Sequence, residues 1–240
     1  MQITVIGCSP AWPNPGAAQS GYLVEGDGRL LLDCGPGVLA RLRTLDGGWW
    51  PKVDAVAITH FHLDHWGDLV PWIFGASFGP GQDAERPELW LPPGGSDRLR
   101  SYGDDMSFTD RIGSTFSVHE YEAGTPFRAA GFDVTPMQLE HYDELTFGLR
   151  VSNHTSALAY SGDTGPNGNL AELARDADFF LCEATLPEPE PDQRGHLTED
   201  EAVAAFRESG AKRLAIIHRP EELPLDPSVE RARDGDVFTL

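Results

Sequence analysis

Basic residues are scarce in this chain. Only two lysines, Lys52 and Lys212, occur among 240 residues, and Lys and Arg together number 18 against 38 Asp and Glu, for a formal net charge of −20. No run of Lys or Arg is present, which argues against nucleic acid as a main partner and against an anionic membrane surface. Cysteine is equally sparse. Cys8, Cys34 and Cys182 are scattered and odd in number, so no disulfide framework is expected. They read as small buried side chains in a protein of a reducing compartment, the cytoplasm. Long apolar runs are missing too: none approaches the roughly 18 residues of a membrane span. The opening "MQITVIGCSP" has no basic stretch ahead of its apolar one and reads as a first strand rather than an export signal. With no repeat, low-complexity tract or Gly/Ser linker, residues 1–240 are expected to form one domain, long enough to bury a substantial core.

What is present is a succession of short strand-like runs. "ITVIG", "GYLVEG", "RLLLDCG", "VDAVAIT", "FDVTPMQL", "FGLRVS", "ALAYSGD", "ADFFLCEA" and "RLAIIH" follow one another, several ending in Asp, Gly or His. Helical patterns lie between them. Val38, Leu39, Leu42 and Leu45 fall at helical spacing behind Pro36, read as a first-turn residue. "WGDLVPWIF" suggests a second helix, and Leu170 and Leu173 a third. Thr198 and Glu201 make a capping-box pattern ahead of Ala202, Val203, Ala205 and Phe206, with Gly210 as the stop. Strands with interspersed helices indicate a layered α/β or α+β domain. The Gly-, Pro- and Asp-rich stretch 78–112 reads as a surface loop with a short helix near the rim of the site.

The concentrated chemistry is "ITHFHLDHWGD", residues 58–68, with three histidines and two aspartates. If the preceding strand continues, side chains two apart point the same way, and His60, His62 and Asp64 project together. His65 follows as the chain turns, so that Asp64 and His65 can face a second centre. Unpaired ionisable groups crowded in this way cost several kcal/mol, and divalent metal would make the crowding favourable. Zinc needs further ligands. His141, Asp163 and His218 each follow a strand-like run, as His60 does.

With these residues in view the chain resembles the metallo-β-lactamase superfamily along its full length. The resemblance implies a four-layer αββα sandwich with two divalent ions at one edge. Zinc is expected, and manganese or iron suits the same donors. His60, His62 and His141 would bind one ion, Asp64, His65 and His218 the other, and Asp163 would bridge them. Asp33, in "LLLDCGPG", would buttress the metal loop without touching metal. Such ions acidify water to a hydroxide near pH 7 and polarise an electrophile. Two divalent ions against Asp64 and Asp163 leave a local excess of about two positive charges, which a hydroxide and an anionic substrate oxygen would neutralise.

"CEAT" at 182–185 followed by "GHLT" at 195–198 resembles ribonuclease Z, the tRNA 3′-processing endonuclease branch. Glu183 and His196 would then be a carboxylate–imidazole pair, with His196 at the scissile phosphate or leaving group and Glu183 orienting it, and Asp64 acquires a proton-transfer role. The pattern also departs from ribonuclease Z. Between His141 and Asp163 there is room only for a strand pair, no basic Gly-rich arm is found, and His218 is followed by "RPEEL" instead of the usual Phe-Ser-x-Arg run. The better resemblance is to arm-less relatives, some of which act on small phosphodiesters. The expectation is a dinuclear metal-dependent phosphodiesterase acting on a small or short substrate. A lactone or thioester hydrolase, a tRNA-processing endonuclease, and a non-catalytic metal-containing scaffold are the alternatives, and homodimerisation is common in this branch. All six tryptophans lie in the first half and are expected to serve core and loop packing, to stack on a base or to line an apolar pocket mouth; Trp12, in a Pro-rich loop after the first strand, is the one singled out. His119 and His154 match no motif and are expected at the surface.

Overall fold

A computed structural model describes residues 1–240. The first half contributes β1 (Gln2–Gly7), β2 (Gly21–Glu25), β3 (Arg29–Leu32), α1 (Val38–Leu45), β4 (Ala55–Ala57), α2 (Leu63–Trp66), α3 (Leu69–Phe78), β5 (Glu88–Leu91), α4 (Gly95–Met106), α5 (Thr109–Thr115) and β6 (Ser117–Glu120). The second half runs through β7 (Phe127–Ala129), β8 (Phe132–Gln138), β9 (Phe147–Ser152), β10 (Ala157–Tyr160), α6 (Asn169–Leu173), β11 (Phe179–Glu183), α7 (Glu199–Ser209), β12 (Leu214–Ile217) and β13 (Val237–Thr239). A seven-stranded sheet is ordered β13-β1-β2-β3-β4-β5-β6, and a six-stranded sheet β12-β11-β10-β9-β8-β7.

Period-two alternation explains the layering. Tyr22, Val24, Leu30 and Leu32 turn inward to meet Val134, Leu149, Val151, Leu158 and Tyr160 of the opposite sheet, forming the central core. Leu23, Leu31, Val56 and Leu89 turn outward beneath Val38, Leu42, Trp72 and Ile73 of α1 and α3. Ala159, Phe180, Cys182 and Ile216 do the same for the second sheet, beneath α6 and α7. Three cores separated by two sheets give the four-layer αββα sandwich expected from the resemblance.

Strand direction decides where chemistry can gather. β3, β4, β5 and β6 run parallel, as do β10, β11 and β12. Parallel neighbours need crossover connections, so successive strands finish on the same side. Asp33 and His218 directly follow β3 and β12, and Glu183 is the last residue of β11. His60, His141 and Asp163 each lie a few residues beyond β4, β8 and β10.

Several expectations need correction. The chain does not stay extended through residues 60–64. β4 stops at Ala57, His62 is the N-cap of α2, and Asp64 and His65 are helical. The helical turn, not strand alternation, separates these two from His60 and His62. Stretch 78–112 is not mainly loop: it holds β5, α4 and most of α5, and its apolar residues Leu89, Leu91, Leu99 and Ile112 are buried in the outer core of the first sheet. Pro36 lies just outside α1, whose N-cap is Gly37 in the left-handed region at φ 94°. His119 is half-buried and stacked on Trp90, with ring centroids 4.7 Å apart, whereas His154 is exposed.

The capping box on α7 is formed. The Thr198 hydroxyl accepts from the Glu201 backbone N–H while the Glu201 carboxylate accepts from Thr198 N–H at 2.9 Å, and Gly210 terminates the helix at φ 72°. Thr198→Ala should therefore destabilise the fold by about 1 kcal/mol, lowering the thermal midpoint by roughly 2–4 °C. Thr198→Ser should retain most of that stability. A Thr198→Ala midpoint equal to that of the parent protein would show the box to be energetically idle.

Candidate metal centre

The site begins with Asp33. Its backbone adopts φ 57° as β3 ends, an unfavourable region for a non-glycine residue. That kink turns a fully buried carboxylate across the sheet edge. Oδ2 accepts from Tyr160 Oη at 2.6 Å and His65 Nδ1 at 2.7 Å, and Oδ1 accepts from Thr59 N–H at 2.8 Å. The following residues pin the metal-ligand loop. Cys34 N–H donates to His65 O at 2.7 Å and Asp68 N–H to Cys34 O at 2.9 Å. Gly35 is required here because a Cβ at that position would lie 1.9 Å from Asp64 O. Across α2, Trp66 Nε1 donates back to Phe61 O at 3.2 Å.

Hydrogen-bond accounting fixes the tautomers. The Asp33 carboxylate and the Gly195 carbonyl only accept, so His65 and His141 donate to them through Nδ1, the latter at 2.5 Å. The Thr59 hydroxyl gives its proton to Asp33 at 2.9 Å and so accepts from His60 Nδ1 at 3.0 Å. On the opposite sheet, the Thr185 hydroxyl has two acceptors at 2.8 Å, Glu183 Oε2 and the His218 carbonyl, and so accepts from His218 Nδ1 at 2.9 Å. In all four imidazoles the Nε2 lone pair is left facing the centre. Each buried carboxylate thus orients two rings: Asp33 holds His65 directly and His60 through Thr59, while Glu183 holds His196 directly and His218 through Thr185.

Asp163 Oδ2 lies among those nitrogens, 3.2 Å from His65, 3.4 Å from His218, 3.8 Å from His60 and 3.9 Å from His141. Two ligands of one tetrahedral zinc with bonds of about 2.0–2.1 Å are separated by roughly 3.3–3.4 Å, so the spacing suits donors that share ions rather than hydrogen bonds. His60, His62, His141 and Asp163 form one group of converging donor atoms, and Asp64, His65, Asp163 and His218 another. All seven ligands named from the sequence fall in these groups, with Asp163 common to both.

The electrostatics point the same way. Asp33, Asp64 and Asp163 are buried, and their only cationic partners within 4.0 Å are histidines. His60 Nε2, His65 Nε2 and Asp163 Oδ1 have no hydrogen-bond partner although they are buried. Burial, and then the neighbouring His65, hold the His60 pKa well below the ordinary imidazole value. Burial also opposes a proton on His65, but Asp163, Asp64 and Asp33 outweigh it and raise its pKa well above normal. A proton there is what three carboxylates recruit in place of a cation. Divalent cations would take over that role and release it. The residues present therefore fit the group that the resemblance implies.

Glu183 and His196 form a separate pair. Glu183 is fully buried and accepts from Thr164 N–H at 2.9 Å, Thr185 N–H at 3.1 Å and Leu197 N–H at 3.3 Å. Its Oε1, which also accepts from Thr164, meets His196 Nδ1 at 2.7 Å. Burial disfavours charge on His196, yet Glu183 pushes its pKa up to about 9. The His196 ring stands beside both donor groups, its centroid 4.8 Å from that of His141 and 5.6 Å from that of His218. Thr59, Thr185, Tyr160 and the Gly195 carbonyl escaped the sequence reading. The Thr immediately before His60 and the Thr two residues after Glu183 were visible, but nothing in one dimension showed their hydroxyls relaying a carboxylate to an imidazole.

Comparison with known proteins agrees with this geometry. Residues 28–219 match the family described as Beta-lactamase superfamily domain. The uncharacterized protein Rv1339 of Mycobacterium tuberculosis is 33% identical, the alignment covering 100% of this chain and 89% of that protein. A protein named ribonuclease Z from Salinibacter ruber is 27% identical, covering 99% of this chain and 91% of that protein. The probable metallo-hydrolase YhfI of Bacillus subtilis is 30% identical over 92% of this chain and 87% of its own length. A crystal structure of YhfI, described as a metallo-β-lactamase fold protein, superposes with a TM-score of 0.82 over 99% of this chain and 98% of that one, at 24% identity. The chain belongs to the metallo-β-lactamase superfamily, among its ribonuclease Z-like metal-dependent hydrolases.

Proposed function

We propose that this hydrolase is a cytoplasmic phosphodiesterase that acts with two divalent cations, zinc foremost, on a small or short substrate. The observation that carries this reading is the His196 imidazole held at 2.7 Å by Glu183 beside both donor groups, without belonging to the two that share Asp163. What the cations supply, when bound, is an acidified water and neutralisation of charge on the phosphoryl group. The chain's own residues do the rest. Glu183 acts as a positioning residue, keeping His196 charged and oriented so that its free Nε2 can donate a proton to the departing oxygen. An alkoxide needs such an acid, whereas a thiolate leaves readily without one, and this favours an oxygen ester over a thioester. Asp64 is assigned to the donor group of His65, Asp163 and His218, and the proton-transfer role that the resemblance gives it is proposed for its carboxylate toward the substrate. Asp33 adds a third buried negative charge to those of Asp64 and Asp163.

Metal binding is tested first. The protein should bind two equivalents of zinc or manganese, and His62→Ala should lose one of them by elemental analysis; unchanged stoichiometry would remove His62 from the ligand set. Asp33→Ala should weaken metal affinity by about 10–100-fold, measured by competition with a chromogenic chelator, because His65 and His60 lose their orientation together.

The reaction is tested with the metal-loaded enzyme on bis(p-nitrophenyl) phosphate and on a cyclic nucleotide. Both should be hydrolysed. His196→Ala should lower kcat for the alkoxide leaving group by about 10²-fold or more. The loss should be smaller for p-nitrophenolate, which departs without a proton, and metal content should stay unchanged. Turnover of lactones or thioesters with none of any phosphodiester would replace this reading with the carboxylic-ester one.

A further inference from the structure

Next to the metal centre lies a pocket of about 600 Å³ that the chemistry described so far leaves unused. His196 and His218 form its inner wall, and Trp12 and Tyr142 stand among the apolar residues around it. Because His196 is the proposed proton donor, the group that departs from phosphorus must leave past it, toward this space.

The two aromatic walls are held differently from ordinary surface residues. Tyr142 sits at φ 48° with its ring packed on the backbone at residue 195, where a Cβ in place of the glycine would meet the ring at 2.1 Å. Its hydroxyl donates to the Glu190 carboxylate at 3.0 Å, and its ring meets His196 edge-on at 5.7 Å. Trp12 lies in the β1–β2 loop, which is tied down on both sides. Gln19 Nε2 donates to Ala11 O at 2.6 Å, Asn14 Nδ2 to Arg219 O at 3.1 Å, and Glu221 N–H to Asn14 Oδ1 at 2.9 Å. The loop is anchored, yet the indole remains 54% exposed, pairs with no other ring in the chain and donates no hydrogen bond. Tyr142 is 40% exposed. An open indole on an anchored loop and a tyrosine held by Glu190 and the backbone at residue 195, both beside a reactive centre, suit a flat ring in the ligand.

Charge narrows the ligand further. Glu190 and Glu222 line the pocket, and no lysine or arginine does. A second phosphate or a polynucleotide chain leaving through this space would face those carboxylates with no cation on the pocket wall beyond His196, which Glu183 already pairs.

Resting on the phosphodiesterase reading, we propose that the Trp12–Tyr142 pocket is the leaving-group subsite and takes a planar aromatic group that brings no negative charge of its own, as in a nucleoside or aryl alcohol. The substrate class is therefore a singly charged phosphodiester with an aromatic leaving group. Selectivity resides in KM through Trp12, while the proton delivered by His196 governs kcat.

The test uses metal-loaded protein with its metal content verified. Trp12→Ala should raise KM for bis(p-nitrophenyl) phosphate about tenfold with kcat changed less than twofold, and Trp12→Phe should restore most of the loss. Calorimetry supplies a readout independent of turnover. The monomethyl ester of 4-nitrobenzylphosphonate should bind the parent protein about tenfold more tightly than monomethyl ethylphosphonate, and Trp12→Ala should abolish the difference. The 4-carboxybenzyl analogue should bind more weakly than the nitro one, and Glu222→Gln should narrow that gap about threefold. Diester turnover with KM and both phosphonate affinities unmoved by Trp12→Ala would overturn the subsite alone. Absence of turnover on every phosphodiester by the parent protein would overturn the functional reading and the subsite with it.

Discussion

Three carboxylates, Asp33, Asp64 and Asp163, are buried at one sheet edge with imidazoles as their only cationic neighbours, and the rest of the site is organised around that constraint. Buried charge without compensation is among the most costly features a fold can carry. Here the cost is met by geometry: Asp64 Oδ2 and Asp163 Oδ2 are turned toward imidazole nitrogens, and the unpartnered Nε2 atoms of His60 and His65 both face Asp163 Oδ2. A centre of this kind has more negative charge and more lone pairs than protein alone can satisfy. That surplus is the physical argument for divalent cations, and it also explains why His65, deeply buried, is drawn toward protonation without them.

Orientation is delivered from outside the donor groups. Asp33 and Glu183 belong to different sheets, yet each grips one imidazole directly and a second through a threonine hydroxyl. The two arrangements differ in what they serve. Asp33 supports His60 and His65, both within the donor groups. Glu183 supports His218 within a donor group and His196 beside it, linking the proposed proton donor to the centre in one hydrogen-bonded unit. Backbone strain accompanies this. Asp33, Tyr142 and His218 hold φ of 57°, 48° and 50° without being glycine, and all three stand at the site.

The acidity of the chain acquires a local meaning beside this centre. The cationic side chains are engaged elsewhere, Arg194 with Glu201, Arg219 with Glu199 and Arg98 with Glu144, and the pocket next to His196 is left with carboxylates and apolar surface. An enzyme that grips a polyanion needs the reverse arrangement.

The sequence by itself was enough to reveal the layered class of fold and the capping box at Thr198, and it marked out the seven residues proposed as metal ligands, which the fold brings together. These are signals carried by residue type and near neighbours: a hydrophobic period, a hydroxyl three residues before a glutamate, histidines and aspartates where strand-like runs stop. It misplaced what depends on how far a strand continues. Alternation was extended through His62 to Asp64, whereas the backbone turns helical at Leu63, and stretch 78–112 reads as a loop with a short helix because its Gly, Pro and Asp residues interrupt the apolar pattern, yet it holds β5, α4 and most of α5. Only the tertiary structure decided that Asp163 stands between the two donor groups, that Thr59 and Thr185 pass a carboxylate's influence to an imidazole, and that Trp12 and Tyr142, 130 positions apart in number, border one pocket. Those relations join residues from separate strands and loops, and their distances are set by the stacking of two sheets, for which the linear order of amino acids carries no local mark.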